Sequence, residues 1–341
     1  MSEDMVIGER HDLVTVGDVA NEVAARHVFG DYQSRKPQST LTAQRNDLRL
    51  FGQYLGEAGM QTDNLFTTPA AWAGITWGLI EGFKRWSLQQ GYAIASINRA
   101  LSTIKLYVKL AFQAGVLSEG EQRKIKSISG YRGSEGRNID EKRPITRIPR
   151  INAKKSTITH IGKAQARELK QQGNDTPVAR RNTLIMCLLL DHGLRVSEVV
   201  DLNVSDFHIS DGTFSFYRHK TDRVQQHTMS SATLNAARAY FRNDALAVGP
   251  LLRASLKNGE LDKSGMSAQA LNALVGKLGR AAGLARLSPH DCRHFWASAA
   301  LRNGSDLASL QHAGGWASPA MPLRYAEERA IANEGIRLDD E

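Results

Sequence analysis

Apolar residues recur every three or four positions through most of the first 130 residues, the pattern of helices that bury one face. After the polar stretch Ser34-Arg-Lys-Pro-Gln-Ser39, one helical face carries Leu41, Leu48, Phe51 and Leu55 and stops near Gly56 to Gly59. Trp72, Ile75, Leu79, Phe83 and Trp86 predict a second helix over about 68–90, with Gly91 as its stop. Ile97, Leu101, Ile104, Val108 and Phe112 form the inner face of a third, over about 95–115. A shorter helix is expected before these, from Asp18 to Val28 with Asp18 as N-cap, and another after them, from Ser118 to Ile128. Residues 15–130 therefore read as a helical bundle.

The periodicity is lost between Gly130 and Thr157, where Gly130, Gly133, Gly136, Pro144 and Pro149 interrupt the chain, and 131–156 reads as a linker. Helical patterns return over about 163–172 and 178–192, and another begins at Ser197. The period then changes from helix to strand. Thr213-Phe-Ser-Phe-Tyr217 alternates, Asp211-Gly212 marks a turn, and Val224 to Met229 is strand-like. Helices are expected again over about 231–243 and 267–282. The fold class is mainly α: an N-terminal helical bundle, then a mixed α/β domain over 157–341 with a small β-sheet.

Composition adds limits. At 341 residues, with 41% hydrophobic and 23% charged residues, the chain suits two soluble globular domains. Its longest apolar run, Thr183 to Leu190, is too short to span a bilayer and reads as a buried helix. The start, Met1-Ser-Glu-Asp-Met, lacks the basic and apolar regions of a secretory signal. Cys187 and Cys292 are the only cysteines, which argues against a disulfide scaffold or zinc cluster and suits a reducing cytoplasm.

The net charge of +9 points to a polyanionic partner, and its distribution sharpens this. From Arg123 to Lys155, eleven basic residues stand against Glu135, Asp140 and Glu141. The candidates for DNA contact in the linker are Arg132, Arg137, Lys142, Arg143, Arg147, Arg150, Lys154 and Lys155. A basic strap between two domains suits closure around a duplex, because each neutralised phosphate releases counterions. A solvated connector with no partner has the same composition.

The chemistry is concentrated later. Gly193-Leu-Arg-Val-Ser-Glu198 follows an apolar helix, so Arg195 should sit at a helix boundary beside the core. Taken alone, Arg195 reads as a surface arginine paired with Asp191 or Glu198. Leu287-Ser-Pro-His-Asp-Cys-Arg-His294 sets His290 and Arg293 one helical turn apart on a single face. Two guanidiniums can grip phosphate oxygens bidentately and stabilise a pentacoordinate transition state. Ala313-Gly-Gly-Trp316 follows, and nine residues after the tryptophan comes Tyr325, expected in a C-terminal helix. A phenol with a pKa of about 10 is a poor nucleophile unless nearby cations favour the phenolate. Tyr217 and Tyr240 are rival phenols without that setting.

These ordered motifs resemble the tyrosine recombinase (phage integrase) family, by motif over about 157–341 and by helical pattern alone over 40–130. The resemblance is closest to the Cre type, since Trp316 stands where most members carry histidine. An indole can donate a hydrogen bond there but cannot titrate. The resemblance implies a SAM-like core-binding bundle and a catalytic domain in which Arg195, His290, Arg293 and Trp316 surround the scissile phosphate and Tyr325 attacks it. It implies that Lys220, in His219-Lys-Thr221 just after the first strand, protonates the leaving 5′ oxygen, with Glu198 and His294 in support. It further implies a 3′-phosphotyrosine, a Holliday junction, a homotetramer on double-stranded DNA that is a monomer or weak oligomer off it, and neither metal nor cofactor. A short C-terminal helix carrying Ile331 and Leu338 would dock on a neighbouring protomer. The implied setting is a prokaryotic cytoplasm, with no membrane association. The short N-terminal extension leaves little room for a separate arm-site domain. A type IB topoisomerase-like strand transferase and a catalytically inactive DNA-binding relative remain as alternatives.

Overall fold

Trp72 and Tyr107 stack at 6.1 Å in the middle of the first helical unit, and the surrounding helices are arranged to cover them. The computed structural model describes residues 13–60, 64–142 and 158–327, and contacts divide the chain into units Met1–Ser156 and Thr157–Glu341. Linker residues Arg143, Arg147, Arg150, Lys154 and Lys155, and Ile331 and Leu338 of the tail, lie outside the described residues.

In the first unit α1 spans Leu13–Ser34 and α2 Gln38–Glu57. Asp18 is not the cap expected of it. Val14, Thr15 and Val16 are already helical, so no free first turn remains for Asp18 to cap. The helix expected over 68–90 is broken in two. Pro69–Trp72 forms a 3-10 turn, Gly74 takes φ +78, and α3 runs only over Trp77–Gln89. The break turns Trp72 inward, where its indole N–H donates to the carbonyl of Leu65 at 2.9 Å. Next come α4 (Ile94–Gln113) and α5 (Glu119–Ser127), the latter capped by Ser118, whose side chain accepts from the Glu121 N–H.

Phe112, expected inside α4, is 36% exposed, and Ala111 is buried instead. At about 100° per residue, position 112 has rotated about 60° past the face that Ile97 begins. The aperiodic stretch after Gly130 also holds a helix, α6 (Gly133–Lys142). It is polar and gives little hydrophobic signal. Arg132, Arg137 and Lys142 are exposed there.

The second unit is built around α8 (Pro177–Asp191), preceded by α7 (Lys163–Leu169). Leu184 through Leu190 are all buried, so α8 is covered on every side; each large apolar side chain taken from water contributes roughly 1.5–3 kcal/mol. The short α9 (Val196–Val200) follows, then β1 (Phe207–His208), β2 (Thr213–Arg218) and β3 (Arg223–Thr228). These form an antiparallel sheet in the order β1-β2-β3, with Tyr217 opposite Val224 and Arg218 opposite Arg223. On β2 the inward face carries Phe214, Phe216 and Arg218.

Next, α10 (Ser231–Asn243) packs on α8. A second small sheet, β4 (Arg253–Ser255) with β5 (Leu261–Gly265), was not legible in the sequence, because Leu261-Asp-Lys-Ser-Gly265 has no apolar alternation. The remaining helices are α11 (Ala268–Ala281), α12 (Pro289–Arg302), α13 (Leu307–Gly314) and α14 (Ala320–Glu327). Helix α12 packs against α8, α13 and α14, which brings the two arginine motifs and Tyr325 into one neighbourhood. Among the described residues no helix is long and apolar enough to cross a membrane.

Candidate active site

The carbonyls at the C-terminal end of α13 and its cap Gly315 turn to side chains, three arginines and a glutamine, although the His312 carbonyl also accepts from the Gly315 N–H at 3.0 Å. Arg218 Nη2 donates to the carbonyl of Ala313, Arg293 Nη2 to Gly314 and Arg195 Nη2 to Gly315, while Gln225 Nε2 donates to His312. Gly315 permits this approach, and Gly314 makes room for the Trp316 ring. A Cβ on Gly315, which takes φ +59, would fall 2.6 Å from Arg218 Cδ, and one on Gly314 would fall 2.1 Å from the Trp316 ring.

Glu198 closes the cluster from the other side. It is 2% exposed, and its Oε1 accepts from Arg195 Nη1 at 2.7 Å and from Arg218 Nη1 at 2.9 Å. Its Oε2 accepts from the Arg195 backbone N–H at 2.8 Å, which fixes the start of α9. The pairing of Arg195 with Glu198 that the sequence suggested is present. It coexists with the cluster, because the same carboxylate holds both cations.

Arg293 comes from α12, whose start is set by Ser288 as N-cap, Pro289 at the first helical position and Asp291 in a capping box. It is 4% exposed, donates to the carbonyls of Gly193 and Gly314, and lies over the Trp316 ring at 4.4 Å. Burial pushes its pKa down to about 10, with the Arg195 and Arg218 charges adding to the shift and Glu198 and Tyr325 opposing it. Burial also lowers the pKa of Arg218. Three guanidiniums thus face one carboxylate, and the partial negative end of α13 offsets only part of the excess. The cluster is a ready anion site.

Tyr325 on α14 is 4% exposed; its ring lies 5.6 Å from Trp316 and 4.8 Å edge-on from His294. The Trp316 ring it packs against is the one that Arg293 overlies, which puts it beside the cluster. Thus Arg195, Glu198, Arg293, His294, Trp316 and Tyr325 come together. His290 is exposed in the first turn of α12, on the same face as Arg293 and His294. Lys220 is exposed in the β2–β3 turn and makes no hydrogen bond or ion pair among the described residues, so the structure does not bring it into contact with the cluster.

Arg218 and Gln225 were missed as site residues. The available signal was the strand period: Phe214, Phe216 and Arg218 alternate onto one face, so Arg218 had to point inward. Behind them lie His192 and His227, rings 5.6 Å apart, with burial depressing their pKa values to about 4 and about 3. Among the described residues no three histidine, cysteine or acidic side chains are grouped to hold a metal.

The model of the phage integrase family matches residues 138–330. Similar proteins include the tyrosine recombinase XerD of Rhizobium meliloti, 28% identical over 65% of this chain and 66% of that protein, so the match spans about two thirds of that relative's length. The XerD of Neisseria meningitidis serogroup B is 29% identical over 65% of this chain and 79% of that protein. Among solved structures, the Tn1549 transposon integrase in complex with a circular intermediate DNA superposes with a TM-score of 0.61 at 15% identity, covering 88% of this chain and 94% of that one. A lambda integrase dimer bound to a COC′ core site gives 0.57 at 16% identity, covering 98% and 85%. The chain belongs to the phage integrase family of site-specific DNA recombinases, the tyrosine recombinases.

Proposed function

We propose that this chain cleaves and rejoins double-stranded DNA with Tyr325 as nucleophile. The observation that carries this reading is the charge of the buried cluster, in which Arg195, Arg218 and Arg293 face the single carboxylate of Glu198. An uncompensated buried charge is costly, and a phosphate diester offsets it. Of the five N–H donors on a guanidinium, Arg195 and Arg293 each spend two on protein acceptors, which leaves donors for the phosphate.

Tyr325 Oη attacks phosphorus while Arg195, Arg293 and the Trp316 indole N–H stabilise the charge gathering on the non-bridging oxygens. His290 takes the phenolic proton, and Lys220 gives a proton to the departing 5′ oxygen. The 3′-phosphotyrosine keeps the bond energy of the diester, so a 5′ hydroxyl from a partner strand can reverse the step. Two such rounds pass through a Holliday junction in a homotetramer. Glu198 holds Arg195, and His294 supports the Tyr325 ring. The exposed Arg132, Arg137 and Lys142, with the basic residues that follow them, contact DNA phosphates. The setting is a prokaryotic cytoplasm.

The test is a nicked suicide substrate carrying the native site, resolved under denaturing conditions. Wild type should form a covalent protein–DNA adduct, and Tyr325→Phe none. An adduct persisting in Tyr325→Phe would move the nucleophile to another tyrosine. Tight binding by wild type without any adduct would leave a DNA-binding relative as the better account.

A further inference from the structure

The turn His219 to Asp222, which carries Lys220, is fastened on both flanks. His219 Nε2 lies 2.8 Å from Asp201 Oδ2, at the C-terminal end of α9. The Tyr217 hydroxyl donates to Asp222 Oδ1 across the turn, and the Tyr217 and His219 rings meet edge to face at 4.8 Å. Asp222 takes φ +51, a left-handed conformation that a short polar side chain can hold through local hydrogen bonding. His219 and Asp201 are both more than half exposed, and exposed polar pairs contribute only about 0–1 kcal/mol to stability. Folding is therefore a poor reason for the arrangement.

Position is a better one. Helix α9 has Arg195 as its N-cap and holds Glu198, the two residues that fix the phosphate-binding end. Its other end holds His219 through Asp201. Lys220 follows directly, two residues beyond the buried Arg218. The turn is thus tied at two points to the helix that orients the arginines, and an untied turn tip would sample many positions on the nanosecond-to-microsecond scale.

We propose that His219 and Asp201 are positioning residues that hold the β2–β3 turn on α9, so that the Lys220 ammonium is presented to the 5′ oxygen leaving the scissile phosphate. This rests on Lys220 being the acid. As the bond from Tyr325 Oη to phosphorus forms, the P–O5′ bond breaks with its electron pair on oxygen. The Lys220 ammonium supplies the proton and becomes a neutral amine.

The experiment compares single-turnover cleavage of an ordinary suicide substrate with one whose bridging 5′ oxygen is sulfur. A thiolate, conjugate to a thiol of pKa about 8.5, leaves without a proton. Lys220→Ala should lose about a hundredfold or more on oxygen and recover on sulfur. His219→Phe, which keeps a ring against Tyr217, should lose about tenfold on oxygen and recover on sulfur to within about twofold of wild type. Asp201→Ala should match it, and the double variant should be no slower than either. If Lys220→Ala stays slow on sulfur, the lysine is not the acid and the proposal falls with that reading. If Lys220→Ala recovers while His219→Phe is unaffected, or is equally slow on both substrates, the clamp alone is overturned.

Discussion

Arg218 carries more of this site's structure than any residue that the motifs single out. It is 1% exposed, and it joins Glu198, Gln225 and the end of α13 through three separate donors. Replacing it by methionine leaves the Glu198 carboxylate buried with Arg195 as its remaining cation. Glu198 stays paired with Arg195, so the loss is that of the hydrogen bonds to Gln225 and the Ala313 carbonyl, and Arg218→Met should lower stability by about 1–3 kcal/mol in urea denaturation. Arg218→Lys should recover little, because an ammonium cannot span three acceptors set for a planar fork. Gly315→Ala should be damaging for a different reason: the position has φ +59, and a Cβ would meet the Arg218 side chain. Destabilisation beyond about 1 kcal/mol is expected, together with slower adduct formation; an alanine variant of wild-type stability would contradict the close approach. Arg195, Arg293, Trp316 and Tyr325 were legible as candidates because their order and residue types suit the proposed chemistry. Arg218 was not, because a lone cation in sequence says nothing about burial.

Among the elements, α12 and α13 do the aligning. Asp291 ties the first turn of α12 through both oxygens: Oδ2 accepts from the Ser288 backbone N–H at 2.8 Å and hydroxyl at 2.6 Å, and Oδ1 accepts from the Thr159 backbone N–H at 3.0 Å. Ser288→Ala removes the side-chain cap and should cost about 1 kcal/mol in equilibrium unfolding. Since this turn carries His290 and leads into Arg293, adduct formation should slow several-fold at full DNA occupancy, read in single-turnover assays. The amphipathic helices of the first unit were legible from their 3.6-residue period. The break at Gly74 and the polar helix α6 were not, since one interrupts a continuing apolar pattern and the other has almost none to show.

For the whole molecule, each unit has its own hydrophobic core, and acid should weaken the second one specifically. His192 is 5% exposed between Thr233 and Phe214, and in the folded chain its pKa falls to about 4. The unfolded chain, titrating near 6.5, therefore holds a proton between these values that the folded chain does not. That contribution to stability is complete above about pH 6.5 and declines as pH falls, by about 2 kcal/mol between pH 7 and pH 5. Urea denaturation at the two pH values should show the loss, and His192→Gln should reduce it; an equal loss in that variant would remove His192 as the cause. The sequence by itself determined the period of most elements, the mainly helical class and the candidates for gripping a phosphate and attacking it, because those depend on local spacing and side-chain chemistry. Only the tertiary structure decided that Arg195, Arg218 and Arg293 share Glu198 and the end of α13. Burial and hydrogen-bond partners there arise from residues about 120 positions apart in the chain, and no local pattern records them.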